Sequence, residues 1–177
     1  MADHPCDQPK LRLGYVAENL DLREKYNVHS SRSCKLATIK TRGTEFAQYL
    51  ARRNIEDTLT TIKDNESRGH RLFRISSGVC PHITNPELLN NPRDTQELAY
   101  SLQPFASLFK QIGDFAKQNK HRLTFHPDPF IAFGSPNPSV IERNQRELYF
   151  HWLMLEMMGL DNNSIIIIHG GGVYGDK

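Results

Sequence analysis

The sequence has no run of apolar residues long enough to cross a membrane, since a spanning helix needs about 20 of them. It also has no apolar block near residues 1–10, where a secretory signal would lie. The 177 residues are 38% hydrophobic and 24% charged, which is typical of one globular domain. We therefore expect an intracellular protein with no membrane partner, in the cytoplasm or nucleoid, or in the nucleus if the source is eukaryotic.

Cysteine is scarce, and net charge is low. The three cysteines, Cys6, Cys34 and Cys80, lack the paired spacing of a zinc ribbon or a redox motif. An odd number of unpaired cysteines favours free thiols in a reducing compartment. The formal net charge of +2 permits a polyanionic partner but does not require one.

Short apolar runs alternate with segments of helical hydrophobic spacing along the chain. The apolar runs predict four strands, at residues 11–16, 71–75, 122–125 and 165–168. The helical spacing predicts three long helices, at about residues 44–67, 94–119 and 138–159. Asn137 is suited to cap the third helix, and Pro138 is suited to its first turn. This βαβαβαβ order implies right-handed crossovers and a parallel sheet.

Two α/β architectures share this order of elements: an open doubly wound sheet and a closed (βα)8 barrel. A complete barrel needs about 250 residues, so the length of the chain taken alone favours the open sheet. In both architectures the loops that carry chemistry meet at the carboxyl ends of the strands.

Histidines follow two successive predicted strands, at the point where each strand ends. Because His126 and His169 occupy the same relative position, their side chains are expected to point toward one place. Neutral imidazoles are suitable ligands for zinc, manganese or iron. The alternative, that each histidine is simply a hydrogen-bonded residue at a strand end, stays open. A third ligand is not identified, although Glu18 and Asp128 are candidates.

Six segments of the chain carry a family resemblance. They are LRLGYVAENL (11–20), FRISS (73–77), RLTFHP (122–127), GSPNP (134–138), ELYFH (147–151) and IIIIHGGGVYGDK (165–177). In this order and at this spacing they resemble the UV damage endonuclease family of DNA repair enzymes. The resemblance implies a TIM-barrel enzyme that nicks damaged double-stranded DNA 5′ of a UV photoproduct. It also implies a cluster of divalent metal ions, usually Mn²⁺, which supplies hydroxide for attack on the phosphodiester.

The resemblance also implies roles for individual residues. His126 and His169 match the family's metal positions, so both lines of reasoning meet on them. Pro129 and Phe130 match the pair that probes the lesion, although the family typically has a glutamine before the aromatic residue. Gly78 stands where some members have a further histidine ligand.

Three other residues are assigned to DNA binding. Tyr15 and Asn19 match family residues that line the DNA cleft, although Tyr15 could equally be a packing residue. Lys177 is placed in the same group, with a solvated side chain as its alternative. A basic segment within residues 21–43, predicted to be a long loop, offers further phosphate contacts from four residues: Arg32, Lys35, Lys40 and Arg42. A solvated basic loop is the alternative for that segment.

Family barrels continue for four more strands, which bring glutamate, aspartate and histidine ligands and a modified lysine. We therefore expect residues 1–10 to be a flexible N-terminus and residues 11–177 to be the N-terminal half of such a barrel. This incomplete barrel would contain about four strands and three helices, which leaves open whether the truncated chain is active alone. The alternatives are a non-catalytic fragment and a sugar isomerase or epimerase barrel resembling xylose isomerase.

Overall fold

The computed structural model describes residues 13–171. Four strands are present: β1 (Gly14–Val16), β2 (Leu72–Arg74), β3 (Arg122–Phe125) and β4 (Ile165–Ile166). Five α-helices accompany them: α1 (Leu20–Tyr26), α2 (Leu36–Arg42), α3 (Thr44–Ser67), α4 (Ala106–Gln118) and α5 (Pro138–Met158). None of the helices between residues 13 and 171 is long and apolar enough to span a membrane.

The strands form one parallel sheet in the order β1-β2-β3-β4, which confirms the predicted α/β topology. The third long helix also begins as predicted. The Asn137 side chain accepts a hydrogen bond from the Ser139 backbone N–H at 3.0 Å, and Pro138 occupies the first turn. The helix ends at Met158, and Gly159 caps it with a left-handed backbone (φ 60°).

Two predicted boundaries are wrong. The basic segment 21–43 is not a structureless loop, because most of it forms α1 and α2. The second long helix does not begin near residue 94, since α4 starts at Ala106 after a short 3₁₀ turn at Gln103–Phe105. Leu102 fits the helical spacing but is buried in the irregular segment before that turn.

One face of the sheet packs against α3, α4 and α5 to form the core. The β2 and β3 side chains on this face, Phe73, Leu123 and Phe125, are at most 1% exposed. The helices α4 and α5 approach so closely that a Cβ atom on Gly113 would lie 1.7 Å from the Met158 carbonyl oxygen. A side chain larger than hydrogen would therefore force these two helices apart.

The other face of the sheet is not covered by any element among the residues that the structure describes. The register aligns one row across it, formed by Val16, Arg74, Thr124 and Ile165. The two ends of the row are the most open, with Val16 54% and Ile165 38% exposed. Ile167, which continues β4 on the same face, is 37% exposed. This face is thus apolar at both edges and has a charged centre.

A long irregular segment between β2 and α4 is held by a buried arginine. Arg146 of α5 is 1% exposed, and its guanidinium donates hydrogen bonds to the backbone carbonyls of Pro92 and Asp94, the latter at 2.8 Å. Nearby, the Glu97 carboxylate accepts the backbone N–H groups of Asn90 and Asn91 at 2.8 and 2.6 Å. These bonds satisfy backbone groups that no sheet or helix would satisfy.

Replacing Arg146 by methionine should destabilise the protein by ~3 kcal/mol, because the Pro92 and Asp94 carbonyls lose their charged donor. Urea-induced unfolding measures this loss, and hydrogen exchange should show faster exchange at the Asn90 and Asn91 amides. Arg143→Met, on the exposed face of the same helix, is the matched control and should change stability by less than ~0.5 kcal/mol. Equal effects of the two substitutions would contradict the anchoring role of Arg146.

Candidate functional site

The two predicted site histidines lie together at the carboxyl edge of the sheet. Side chains alternate along a strand, so burial of Phe125 on the helix face directs His126 to the uncovered face. His169 follows Ile165 and Ile167 on that same face. The ring centroids of His126 and His169 are 4.9 Å apart, with planes inclined by 43°. The predicted convergence of the two imidazoles is therefore confirmed.

His169 is fixed in position but has an unused nitrogen. Its backbone forms a parallel bridge with Ala132, and the next residue, Gly170, accepts a hydrogen bond from the Gly134 N–H at 3.1 Å. The Nε2 atom of His169 is buried and has no hydrogen-bond partner among the described residues. Buried polar atoms are normally paired, so this nitrogen is available to an external ligand.

The surroundings of His126 favour its neutral form. Partial burial lowers the pKa of His126, and the nearby positive charge of Arg74 lowers it further. A neutral imidazole has the free lone pair that a metal ion needs. The two histidines therefore fit a transition-metal site, with the orphaned Nε2 of His169 as the strongest sign of one.

Carboxylate ligands do not complete this site within residues 13–171, where no group of three or more His, Cys, Asp or Glu side chains could hold a metal ion. The Glu18 carboxylate already accepts hydrogen bonds from Arg23 and from the Ser31 hydroxyl. Asp128 is exposed and close enough to His126 to oppose the lowering of its pKa. Of the two candidate third ligands, Asp128 is thus the one with a free carboxylate.

Tyr15 and Asn19 are both engaged by α3. The Tyr15 hydroxyl donates to the Asn65 side chain, and its ring packs edge-on against Phe73 at 5.3 Å. The Asn19 Oδ1 atom accepts from the Leu22 N–H at 3.1 Å and caps α1, while its Nδ2 donates to Asp64 at 2.8 Å. These contacts give each residue a structural role, and DNA contact by either one stays a prediction.

The turn before Asn19 is strained. Ala17 has a left-handed φ of 61°, and the Glu18 N–H donates to the Val16 carbonyl at 2.7 Å, which closes a three-residue turn. This type of turn is rare for residues other than glycine. It ends β1 abruptly and turns the chain toward α1.

Pro129 and Phe130 form an exposed turn directly beyond His126. Phe130 is 79% exposed, and the Ile131 N–H donates to the Asp128 carbonyl at 2.9 Å across the turn. Gly78 is exposed too, in a short 3₁₀ turn after β2. Lys177 lies outside the described residues. The structure thus presents Phe130 to solvent four residues after His126, and its role in lesion binding stays a prediction.

The four basic residues of segment 21–43 that are candidates for phosphate contact divide into two groups. Arg32 forms an ion pair with Asp57 at 2.7 Å, and Lys40 forms one with Glu87 at 2.6 Å. Lys35 and Arg42 are exposed and have no carboxylate partner in the part of the chain that the structure describes. Of these four side chains, the last two therefore keep their charge available to another molecule.

A cavity of about 360 Å³ opens beside the site, and the sequence did not indicate it. Its lining includes several serines together with Thr84, Asp128 and Glu147. Glu147 belongs to the quoted ELYFH segment, but its burial depends on the position of α5 against the segment after β2. Burial raises the pKa of Glu147, the Thr84 hydrogen bond opposes this, and the charge of Asp128 adds to it. One turn further along α5, burial lowers the pKa of His151 to about 4.

Comparison with known proteins gives a consistent result. A family model described as UV-endonuclease UvdE matches residues 11–177. A putative UV-damage endonuclease of Acanthamoeba polyphaga mimivirus is 42% identical over 173 residues, which cover 97% of this chain and 50% of the relative. A UV DNA damage endonuclease of Bacillus pumilus is 34% identical over 171 residues, covering 95% of this chain and 50% of that relative.

The same fold is found among solved structures. A structure described as "Crystal Structure of SacUVDE" matches with a TM-score of 0.76 at 25% identity, covering 93% of this chain and 51% of that one. The fold is thus TIM-barrel-like, and the described residues contribute four parallel strands in an open sheet. The chain spans about half the length of the curated relatives it matches.

Replacing Glu147 by glutamine should change how stability depends on pH. Because the pKa of Glu147 is raised in the folded state, ionisation opposes folding, and stability is lost as pH rises through the folded-state pKa. Glutamine cannot ionise, so Glu147→Gln should gain stability relative to the wild type between pH 4 and pH 7. Denaturant unfolding at both pH values measures this gain. Thr84→Val removes a hydrogen bond to the Glu147 carboxylate, so the stability of this variant should fall more steeply as pH rises. A stability gain in Glu147→Gln that does not change with pH would contradict a raised pKa for Glu147.

Proposed function

Because this chain belongs to the UV-endonuclease UvdE family, we propose that it forms part of a metal-dependent DNA repair endonuclease that nicks duplex DNA 5′ of UV photoproducts. The observation that carries this proposal is the pair of converging imidazoles at the carboxyl edge, with the buried Nε2 of His169 unpaired. This edge is where TIM-barrel enzymes gather their catalytic residues.

We propose that His126 and His169 hold a divalent metal ion, with Mn²⁺ as the expected ion. Such an ion supplies charge stabilisation at a phosphate group and activates water near neutral pH. Partial burial and the charge of Arg74 lower the pKa of His126, which favours the neutral imidazole that a metal ion needs. The same positive charge favours a DNA phosphate next to the histidines.

Two imidazoles are too few for a cluster of metal ions, so further ligands must come from elsewhere in the assembled protein. Because the curated relatives are about twice as long as this chain, we propose that carboxylates from the other half of the barrel complete the set. A chain without that half would then bind DNA without cutting it, which is the non-catalytic alternative. No contact within the described residues favours the sugar isomerase alternative.

Lesion recognition is proposed for the turn at Pro129 and Phe130. The exposed Phe130 ring is close in sequence to His126, so a base pair opened by this ring would place its phosphate near the histidines. Inserting an apolar side chain between bases costs unstacking energy, and this cost is lower at damaged bases. Proline at position 129 offers no side-chain hydrogen bond, so Phe130 would provide the selectivity by stacking.

Nicking of UV-irradiated plasmid in the presence of Mn²⁺ tests the proposed activity. The assembled protein, with both halves of the barrel, should convert irradiated plasmid to the open circular form and leave untreated plasmid intact. His126→Ala and His169→Ala should each lower the rate by about 100-fold or more, because each removes a metal ligand. His70→Ala, at the opposite edge of the sheet, is the matched control and should keep the wild-type rate. No excess cleavage of the irradiated plasmid by the wild type would reject the proposal.

Phe130→Ala should reduce the preference for irradiated DNA about 10-fold, because stacking on an aromatic ring contributes about 1–3 kcal/mol per base. The measurement is the ratio of binding constants for irradiated and untreated duplex of the same sequence. Phe130→Tyr keeps the ring and should keep the ratio. Tyr26→Ala removes another exposed aromatic ring, 70% exposed on α1, and should have no effect. An unchanged ratio in Phe130→Ala would exclude Phe130 as the lesion probe.

A further inference from the structure

A stacked group of one cation and two aromatic rings lies where α2 meets α3. The Arg42 guanidinium carbon is 3.7 Å from the centroid of the Phe46 ring. The Phe46 and Tyr49 rings are stacked, with centroids 6.4 Å apart and planes inclined by 18°. Together with Lys35, these residues are termed the α2–α3 shoulder. A surface groove of about 400 Å³ is lined by Arg42, Glu45, Phe46 and Tyr49.

The two aromatic rings of the shoulder do not serve the core. The first turns of α3 bury Ala47, Leu50 and Ala51 toward the sheet, and neither Phe46 nor Tyr49 packs against the core cluster. Tyr49 is 59% exposed. An exposed stack of aromatic rings beside a cation is a surface suited to contact with another molecule.

The charge of the shoulder favours an anion. Arg42 and Lys35 lack carboxylate partners among residues 13–171, in contrast to their neighbours Arg32 and Lys40. Glu45 is the one carboxylate that lines the groove. With Lys35 at the start of α2 and Arg42 at its end, the shoulder has two cations against this one carboxylate, and Arg42 is the cation that lies over a ring.

The shoulder lies on the same edge of the sheet as the two histidines. Helix α3 follows β1, so its first turn is at the carboxyl end of the strands. The 2.6 Å ion pair between Lys40 and Glu87 fastens α2 to the segment that follows β2. A molecule as long as duplex DNA that lies over His126 would therefore extend along this edge toward the shoulder.

We propose that the α2–α3 shoulder is a second DNA-contact surface, in which Arg42 and Lys35 bind phosphates and Tyr49 stacks on an exposed base or sugar. The proposal rests on the proposed function, since the DNA is the one held at the histidines. DNA is favoured over an acidic protein because a nucleotide pairs an anion with a flat ring, and the shoulder pairs a cation with a flat ring in the same way.

Binding of UV-irradiated duplex oligonucleotide, measured by fluorescence anisotropy between 50 and 200 mM salt, tests this surface. Arg42→Gln should reduce the slope of log K against log salt by about 1, because one phosphate contact is lost. Tyr49→Ala should weaken binding about 5-fold or more with little change in the slope. The controls are Arg53→Gln, whose arginine is paired with Glu56 on the same helix, and Tyr26→Ala. Both should bind as the wild type does.

The proposed endonuclease activity and the proposed DNA contact at the α2–α3 shoulder can be rejected independently of each other. If the wild type does not nick irradiated plasmid, the proposed endonuclease activity is overturned, while the binding measurements still judge the shoulder. If Arg42→Gln and Tyr49→Ala bind DNA with wild-type affinity and slope, the shoulder proposal is overturned, and a protein partner becomes the better occupant. Unfolding midpoints equal to that of the wild type would show that any loss of binding is not a loss of fold.

Discussion

The alternation of side chains along β3 is the constraint on which the candidate site depends. Phe125 is fully buried among the helices, and the pleat therefore turns His126 to the opposite face. Side chains alternate in the same way from Ile165 through Ile167 to His169, so His169 lies on that face too, where the two rings meet. A shift of one residue in the register of either strand would put a histidine into the core and an apolar residue into the site. The packing of the core and the geometry of the site therefore depend on the same strand register.

The sequence predicted what depends on local pattern. Hydrophobic period identified all four strands and the positions of α3 and α5. The histidine pair was identified because both residues follow the carboxyl ends of strands. The short helices α1 and α2 were missed because they are polar and are stabilised by contacts distant in sequence, such as Asn19 with Asp64. The start of α4 was misplaced because Leu98 and Leu102 have helical spacing but lie in a segment that Arg146 holds.

Contacts between residues distant in sequence also explain why parts of the site could not be predicted. The bond between Tyr15 and Asn65 joins residues 50 positions apart, so no local pattern indicates that this hydroxyl is already engaged. Glu147 is equally inconspicuous in sequence, since its burial depends on the segment after β2.

Buried side-chain amides hold the loops at the carboxyl edge of the sheet. Asn54 binds the carbonyls of Arg32 and Val79, and Asn144 binds that of Ala132. Irregular backbone at the carboxyl edge is therefore held by side chains from the helices.

The order of the sheet has a consequence for biosynthesis. Each strand pairs with the one that precedes it in the chain, so each can add to a sheet already formed as the polypeptide leaves the ribosome. Helices α4 and α5 can dock in the same sequence, because each contacts the helix before it. The histidine pair is an exception to this gradual assembly. His126 emerges more than 40 residues before His169, and the two rings meet only after β4 has joined the sheet.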